Sequence, residues 1–382
     1  YLIQMSMLFA GLATLIQTIG IGPAGAKLPI MQGTSFAFIP VMIPVVKGAG
    51  MGALFGAIVI GGIFHALMGT VISRIRHWLP PLVTGLVVLS IGLMLIPVGI
   101  DYAAGGVPLK GKEAFGTFQH WSLAIVVIVV ALGCTFFTKG LTRTASVLIG
   151  LIAGYIVGIA AGMVDFGRVA GAAWFAVPNP MAYGFEINAA AIIGMCLMAI
   201  VSAIETVGDV SGITKGGAGR EATNEEITGA TYADGIGTAV AGIFGGLPNT
   251  SFSQNVGLVA MTGVMSRHVV TIGAIFLCIA GLVPKVGAVI ASMPIAVLGG
   301  GVIVMFGMVA SAGLNMLTEV KMNRRNMVII AVSLAIGLGL KAVPEALQHV
   351  PSTLKILLTT GLLPVAFLAI VLNLVLPEEL ED

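Results

Sequence analysis

Charge is the scarcest commodity in this chain. Of its 382 residues only 9% are Asp, Glu, Lys or Arg, while 58% are hydrophobic and the mean hydropathy is +1.08. A soluble domain carries about 25% charged residues, so a soluble fold is excluded. Cysteine is nearly absent too. The three present, Cys134, Cys196 and Cys278, all lie inside apolar stretches. An odd, buried set of that kind excludes a disulfide framework and suits inert apolar fillers. Strands of alternating polarity, the mark of an outer-membrane barrel, are missing, which leaves an all-α polytopic membrane protein. Catalytic signatures are missing as well: there is no H-E-x-x-H, no G-x-x-x-x-G-K-[ST] and no Ser–His pair within an apolar run. The stretch Gly20–Gly25 fits G-x-G-x-x-G, but no strand precedes it, so it is not a dinucleotide site.

What the chain has in abundance is glycine, 53 residues of it, and long apolar runs. A spanning helix needs about 20 mostly apolar residues. Spans are expected near 2–21, 34–46, 48–72, 80–99, 121–137, 146–164, 189–212, 232–245, 250–264, 268–291, 294–313, 325–341 and 356–376, with 34–46 and 250–264 short. So much glycine fits closely packed helices rather than loops. The chain opens on Tyr1 already within a span, without a signal peptide, and a preceding segment is expected to be missing. Alternate connections hold Lys27, Arg74, Arg76, Lys139, Arg143, Lys215, Arg220, Arg267, Lys321, Arg324 and Arg325. This is the greater part of the 18 basic residues and marks the cytoplasmic side. The stretches 101–120 and 165–188 read as solvated loops, Thr223–Glu226 as a short capped surface helix, and Glu378–Asp382 as a solvated acidic tail.

One stretch breaks the apolar pattern. Between Gly246 and Gly263, Asn249, Thr250, Ser251, Ser253, Gln254 and Asn255 stand almost side by side. An unpaired polar group costs several kcal/mol in hydrocarbon, so this cluster must face protein or a wet cavity. Pro248 stops a helix, a short extended piece follows, and Asn255 onward resumes an apolar helix. An earlier stretch, Leu28–Phe38, has the same grammar: Leu-Pro, then Thr-Ser-Phe, then a short apolar half-helix. Paired breaks of this kind in two halves of a chain are what inverted-repeat transporters show. The two Thr-Ser-Phe pieces are expected to be short antiparallel strands.

Only three of the 16 carboxylates, Glu205, Asp209 and Asp234, fall within expected spans. Glu205 and Asp209 are four apart and share a helix face. Intramembrane carboxylates mark functional sites, although Asp209 and Asp234 could equally cap or bridge helices near the membrane edge. His65 reads either as a helix-to-helix hydrogen bond or as a proton carrier. The sequon Asn249-Thr-Ser251 has no meaning inside a membrane break.

These residues resemble a known family. Gln254-Asn255-x-Gly257-x-x-x-x-Thr262-Gly263 is similar to the signature of the nucleobase–ascorbate transporters, also called nucleobase:cation symporter-2. Gln32-Gly-Thr-Ser-Phe36 and Glu205-Thr-Val-Gly-Asp209 resemble the third and eighth spans of that family. The similarity runs over essentially the whole chain. It implies fourteen spans as two inverted sevens, the first of them absent from this sequence, with short antiparallel strands in broken segments three and ten. It also implies a core domain, here residues 1–75 and 186–292, and a gate domain, residues 76–185 and 293–382.

Carried over by position, Glu205 and Gln254 resemble the two side chains that grip a nucleobase edge, and Phe36 the aromatic that stacks on its ring. Ser35, Phe36, Ser253 and Gln254 are expected on the strands. Asp234 and Asn255 match polar positions that support transport, and Asp209 matches the second carboxylate of the eighth span. Gln254, where pyrimidine members tend to carry Glu, and Gly263, where many eukaryotic members carry Arg, resemble the bacterial xanthine and uric acid branch. The resemblance implies proton-coupled purine uptake by an elevator-like movement of core against gate, in a homodimer of the bacterial inner membrane. It implies no nucleic-acid partner and no cofactor beyond the coupling proton.

The chemistry points the same way. A purine is flat and polar-edged, and Gln offers a donor and an acceptor in one plane where a carboxylate offers acceptors. Half-helix N-termini suit a ligand rich in carbonyl oxygens. The alternatives are a uracil symporter of the same family, or a sulfate-type anion exchanger or channel sharing the fold. An anion path would not call for Glu205 in its centre.

Overall fold

The computed structural model describes residues 1–377, and the acidic run Glu378–Asp382 lies outside the described residues. The chain is helical apart from two short strands. In order it runs α1 (Leu2–Ile19), β1 (Gln32–Thr34), α2 (Ile39–Ile75), α3 (Pro81–Ala103), α4 (Phe118–Phe137), α5 (Leu141–Thr144), α6 (Ser146–Ala160) and α7 (Gly167–Ala170). The later part holds α8 (Ala189–Ala218), α9 (Asn224–Ile243), β2 (Asn249–Ser251), α10 (Ser253–Thr262), α11 (Arg267–Leu282) and α12 (Pro284–Ser292). It ends with α13 (Ile295–Leu317), α14 (Arg324–Ala342), α15 (Ser352–Thr359) and α16 (Leu362–Val375).

Seven described helices are long and apolar enough to cross a membrane, or eight if α11 and α12 count as one span bent by 87°. The protein is a multi-pass membrane protein. Where it departs from the thirteen expected spans, the causes are local. Pro284 breaks the run expected at 268–291 into α11 and α12, because proline cannot continue the preceding turn. By contrast, α2 is two helical pieces that meet at Gly50, close to the break expected between 34–46 and 48–72; only glycine adopts its φ of 86° at no cost. The capped turn at Thr223 and the span at 232–245 are a single helix, α9. The expected loop 101–120 begins late, since Asp101 still belongs to α3 and bonds Lys110 at 3.0 Å. The three cysteines are free thiols, half-buried rather than fully buried.

The chain divides into two compact units. One comprises residues 1–91, 175–283 and 312–382. Within it α1 packs on α11 and α9 on α2, each pair at small-residue distance. A Cβ on Gly281 would press on Leu8, and one on Gly235 would collide with Ala66. Such close helix approach through glycine replaces the hydrophobic drive that lipid removes. The outer face of α11 shows Val269, Ile272, Phe276 and Ile279, all more than half exposed, as a lipid-facing stripe. The other unit comprises residues 92–174 and 284–311. Its core joins Leu123, Val127, Ala296 and Val297, and Tyr155 shares a 2.7 Å hydrogen bond with Ser292.

Candidate functional site

The two broken segments meet. Strand β1 runs antiparallel to β2 with Gln32 opposite Ser251, Gly33 opposite Thr250 and Thr34 opposite Asn249. Pairing continues one residue beyond each end: the Ser35 N–H donates to the Pro248 carbonyl at 2.8 Å, and the Phe252 N–H to the Met31 carbonyl at 3.0 Å. Glycine is required at position 33, because a Cβ there would collide with the ring of Phe252. The expected antiparallel pair is therefore present, two residues earlier than expected in the first segment and one residue earlier in the second. Ser35, Phe36, Ser253 and Gln254 are not on the strands but just past them. Ser35 precedes a turn of 3-10 helix that starts at Phe36, and Ser253 and Gln254 open α10.

The placement puts the polar side chains at two helix beginnings. Residues 249–253 are buried except Phe252, while Phe36, Gln254 and Asn255 are half-buried. No side chain caps α10, and of its first-turn N–H groups that of Asn255 donates to the Phe252 carbonyl at 2.9 Å. Asn255 turns away from that space and donates to the Pro29 carbonyl at 2.5 Å, tying α10 to the segment ahead of β1.

The three intramembrane carboxylates come together beside the strands but differ sharply in how they are satisfied. Asp234, on α9 with no exposure, accepts from the Gln32 amide, the Thr206 hydroxyl and, at 3.2 Å, the Ser251 hydroxyl. It binds α8, α9 and both strands into one knot. Glu205, on α8 with 5% exposure, accepts from the Ser253 hydroxyl at 3.3 Å through Oε1, and its Oε2 has no partner. Asp209, one turn further along α8 and fully buried, has no protein hydrogen bond at either oxygen. The Gln32 Oε1 and Ser35 Oγ atoms are likewise buried without a partner. His65, on α2, is buried with neither ring nitrogen hydrogen-bonded, so the expected helix-to-helix bond is not made.

The motifs contain Gln32 and Thr206 without giving either a role, and the Ser202–Thr250 hydroxyl pair, which lies at 3.0 Å, has no sequence signal. Thr14 and Thr238, which bond to the strands, have none either. A hydroxyl within a span ordinarily bonds its own helix four residues back, as Thr206 also does to the Ser202 carbonyl. Nothing in the order of residues distinguishes those that reach outward.

The sequence profile of the Permease family matches residues 1–346. The uric acid permease PucJ of Bacillus subtilis is 36% identical over 381 residues, covering 98% of this chain and 84% of its own. The xanthine permease XanQ of Escherichia coli is 33% identical over 389 residues, covering 99% of this chain and 84% of its own. Among solved structures, the transmembrane domain of the cyanobacterial bicarbonate transporter BicA superposes with a TM-score of 0.56 at 16% identity. That match covers 94% of this chain and 96% of that one, a likeness of fold alone. These relatives are permeases and transporters, not enzymes. By profile and by identity along nearly its whole length, the chain belongs to the family of xanthine and uric acid permeases, the nucleobase–ascorbate transporters that its motifs resemble.

Proposed function

We propose that this protein carries purine nucleobases of the xanthine and uric acid class across the bacterial inner membrane together with protons. The observation that carries the reading is the junction of Glu205, Ser253 and Gln254 at the uncapped start of α10, in a chain of this family. Gln254 offers a purine edge one donor and one acceptor, Glu205 presents its open Oε2, and Phe36 is the aromatic that the family resemblance assigns to the purine face. Ser35 and Ser253 add hydroxyls to the rim. Asn255 and Asp234 hold the frame. Asp209, one turn from Glu205, is the second proton station.

Coupling follows from charge. An ionised Glu205 would repel the carbonyl lone pairs of an oxopurine, whereas the neutral acid both donates and accepts. Proton and purine then bind more tightly together than apart, and linkage makes the effect mutual. We assign the chain to the fold of two inverted sevens. The matched order of α1, β1 and α2 against α9, β2, α10 and α11 supports this. Residues 1–75 and 186–292 form the core, which moves in an elevator-like manner against residues 76–185 and 293–382. Under that assignment the Lys215–Glu319 ion pair, 2.6 Å at the exposed end of α8, spans core and gate. The family resemblance also supports a homodimer, to be weighed by native mass measurement from lipid.

The test is uptake into proteoliposomes under an imposed pH gradient, with radiolabelled xanthine, uracil and sulfate in parallel. Xanthine should accumulate and be displaced by uric acid. Sulfate uptake, or uracil uptake that xanthine cannot displace, would refute the reading. Glu205→Gln should retain xanthine binding yet lose gradient-driven accumulation, and Glu205→Ala should lose both. Gln254→Glu deletes the amide donor and strands an acceptor on the ligand, so affinity should fall roughly tenfold or more. Unchanged affinity would remove Gln254 from the site.

A further inference from the structure

A sheet of two strands has nothing but edges, and each edge exposes N–H and carbonyl groups that need partners. Within an apolar protein no water is at hand to supply them. In the β1–β2 pair the residues that bond across the ladder are 31 with 252 and 35 with 248, so the backbone groups of Gln32 and Asn249 point outward. Each meets a single buried threonine. The Gln32 N–H donates to Thr14 Oγ1 at 2.9 Å, and the Gln32 carbonyl lies 3.2 Å from the same hydroxyl, which also reaches the Ala10 carbonyl at 2.7 Å. The Asn249 N–H donates to Thr238 Oγ1 at 2.9 Å, and that hydroxyl donates to the Asn249 carbonyl at 3.1 Å. Thr14 has no exposure and Thr238 has 2%.

The arrangement occurs twice in equivalent places. Thr14 stands five residues before Ile19, the end of α1, and Thr238 five residues before Ile243, the end of α9. Each threonine lies on the helix preceding the strand it serves. One hydroxyl takes an N–H and lies against the carbonyl of the same residue, as the backbone of a third strand would. Its methyl-bearing carbon remains in the apolar packing, which serine would lack and valine would keep.

We propose that Thr14 and Thr238 are paired positioning residues that fasten β1 to α1 and β2 to α9, and so fix the spacing between Phe36 on one segment and Ser253–Gln254 on the other. The inference rests on the purine-binding reading for its transport consequence but not for its structural one. Neither threonine touches substrate. Loosening either should let a strand slide relative to its helix and widen the gap across which a flat ligand is held.

Thr14→Val and Thr238→Val keep the shape and remove the hydroxyl, Thr→Ser keeps the hydroxyl, and Thr→Ala serves where a valine variant does not reach the membrane. Hydrogen exchange of the purified protein, read on peptides spanning 30–36 and 247–253, should be at least tenfold faster in the matching valine variant and near wild type in serine. Peptides from α4 and α6 should not change. Xanthine transport should show KM raised about five- to tenfold, the loss of one hydrogen bond, with maximal rate within twofold. Unchanged exchange in the valine and alanine variants would overturn the fastening, as would serine variants as fast as valine. Faster exchange with unchanged KM would overturn the link to the site. Absence of xanthine transport by the wild-type protein would instead strike the proposed function, leaving the exchange result to judge the fastening.

Discussion

Asp234, Glu205 and Asp209 are three buried carboxylates with three, one and no protein donors. That gradation separates scaffold from machinery better than burial does, since all three are nearly inaccessible. Replacing Asp234 by Asn turns an amide against donors and strands the groups that pointed at it, each costing about 1–3 kcal/mol. Asp234→Asn should therefore lower the melting temperature of the purified protein by several degrees. Asp209→Asn breaks no bond and should melt within about a degree of wild type while altering the pH dependence of transport. Equal destabilisation by the two would erase the distinction. The identities of all three were legible in the sequence, because a carboxylate within an apolar span is rare enough to stand out. Their roles were not. Donors to Asp234 come from Gln32, 202 residues away, from Ser251 on β2, and from Thr206, a threonine that sequence alone assigns to its own helix.

Helix α9 shows what an element boundary reveals. Thr223 and Glu226 form a complete capping box, the Glu226 N–H donating to Thr223 Oγ1 at 3.2 Å and the Thr223 N–H to Glu226 Oε2 at 2.8 Å. This was readable as a motif, yet it was placed on a separate surface helix, because Thr228, Gly229 and Thr231 dilute the apolar pattern that would have joined it to the span at 232–245. The Arg220 guanidinium, at 2.9 Å from Glu226 Oε2, and the Thr223 N–H hold this water-facing carboxyl below the usual Glu range. A depressed carboxyl stabilises the fold above the unfolded pKa of about 4.3, and that contribution disappears as the pH falls through the lower folded value. Thermal melts should accordingly show a loss below about pH 4 that Glu226→Gln abolishes, and Thr223→Ala should cost about 1 kcal/mol at neutral pH. A Glu226→Gln protein with the wild-type acid profile would contradict this. The short strands were legible from Leu-Pro and Thr-Ser-Phe. Their ends were not, since Phe252, the residue after β2, packs on Gly33 from the other half of the chain.

Over the whole molecule, apolar content and segment count were sufficient to find a multi-pass membrane protein. Composition could not say which spans bend, because a kink such as Gly50 depends on a single φ angle. The pairing of β1 with β2 brings a matter of timing. Synthesis proceeds at about 5–20 residues per second, so the interval between Gln32 and its partner Ser251 corresponds to roughly 11–44 s. During that interval β1 has been made and its inner edge has no mate. Thr34→Cys with Asn249→Cys, opposite each other in register, reports the moment of closure when the native cysteines are replaced. In length-arrested ribosome-bound chains the cross-link should appear only after α9 and β2 have emerged, and a cross-link to any earlier segment would show a provisional mate. The newborn first half thus waits in the bilayer with an open seam, and a cell that slows translation between the two breaks lengthens the exposure of that seam to every neighbouring chain.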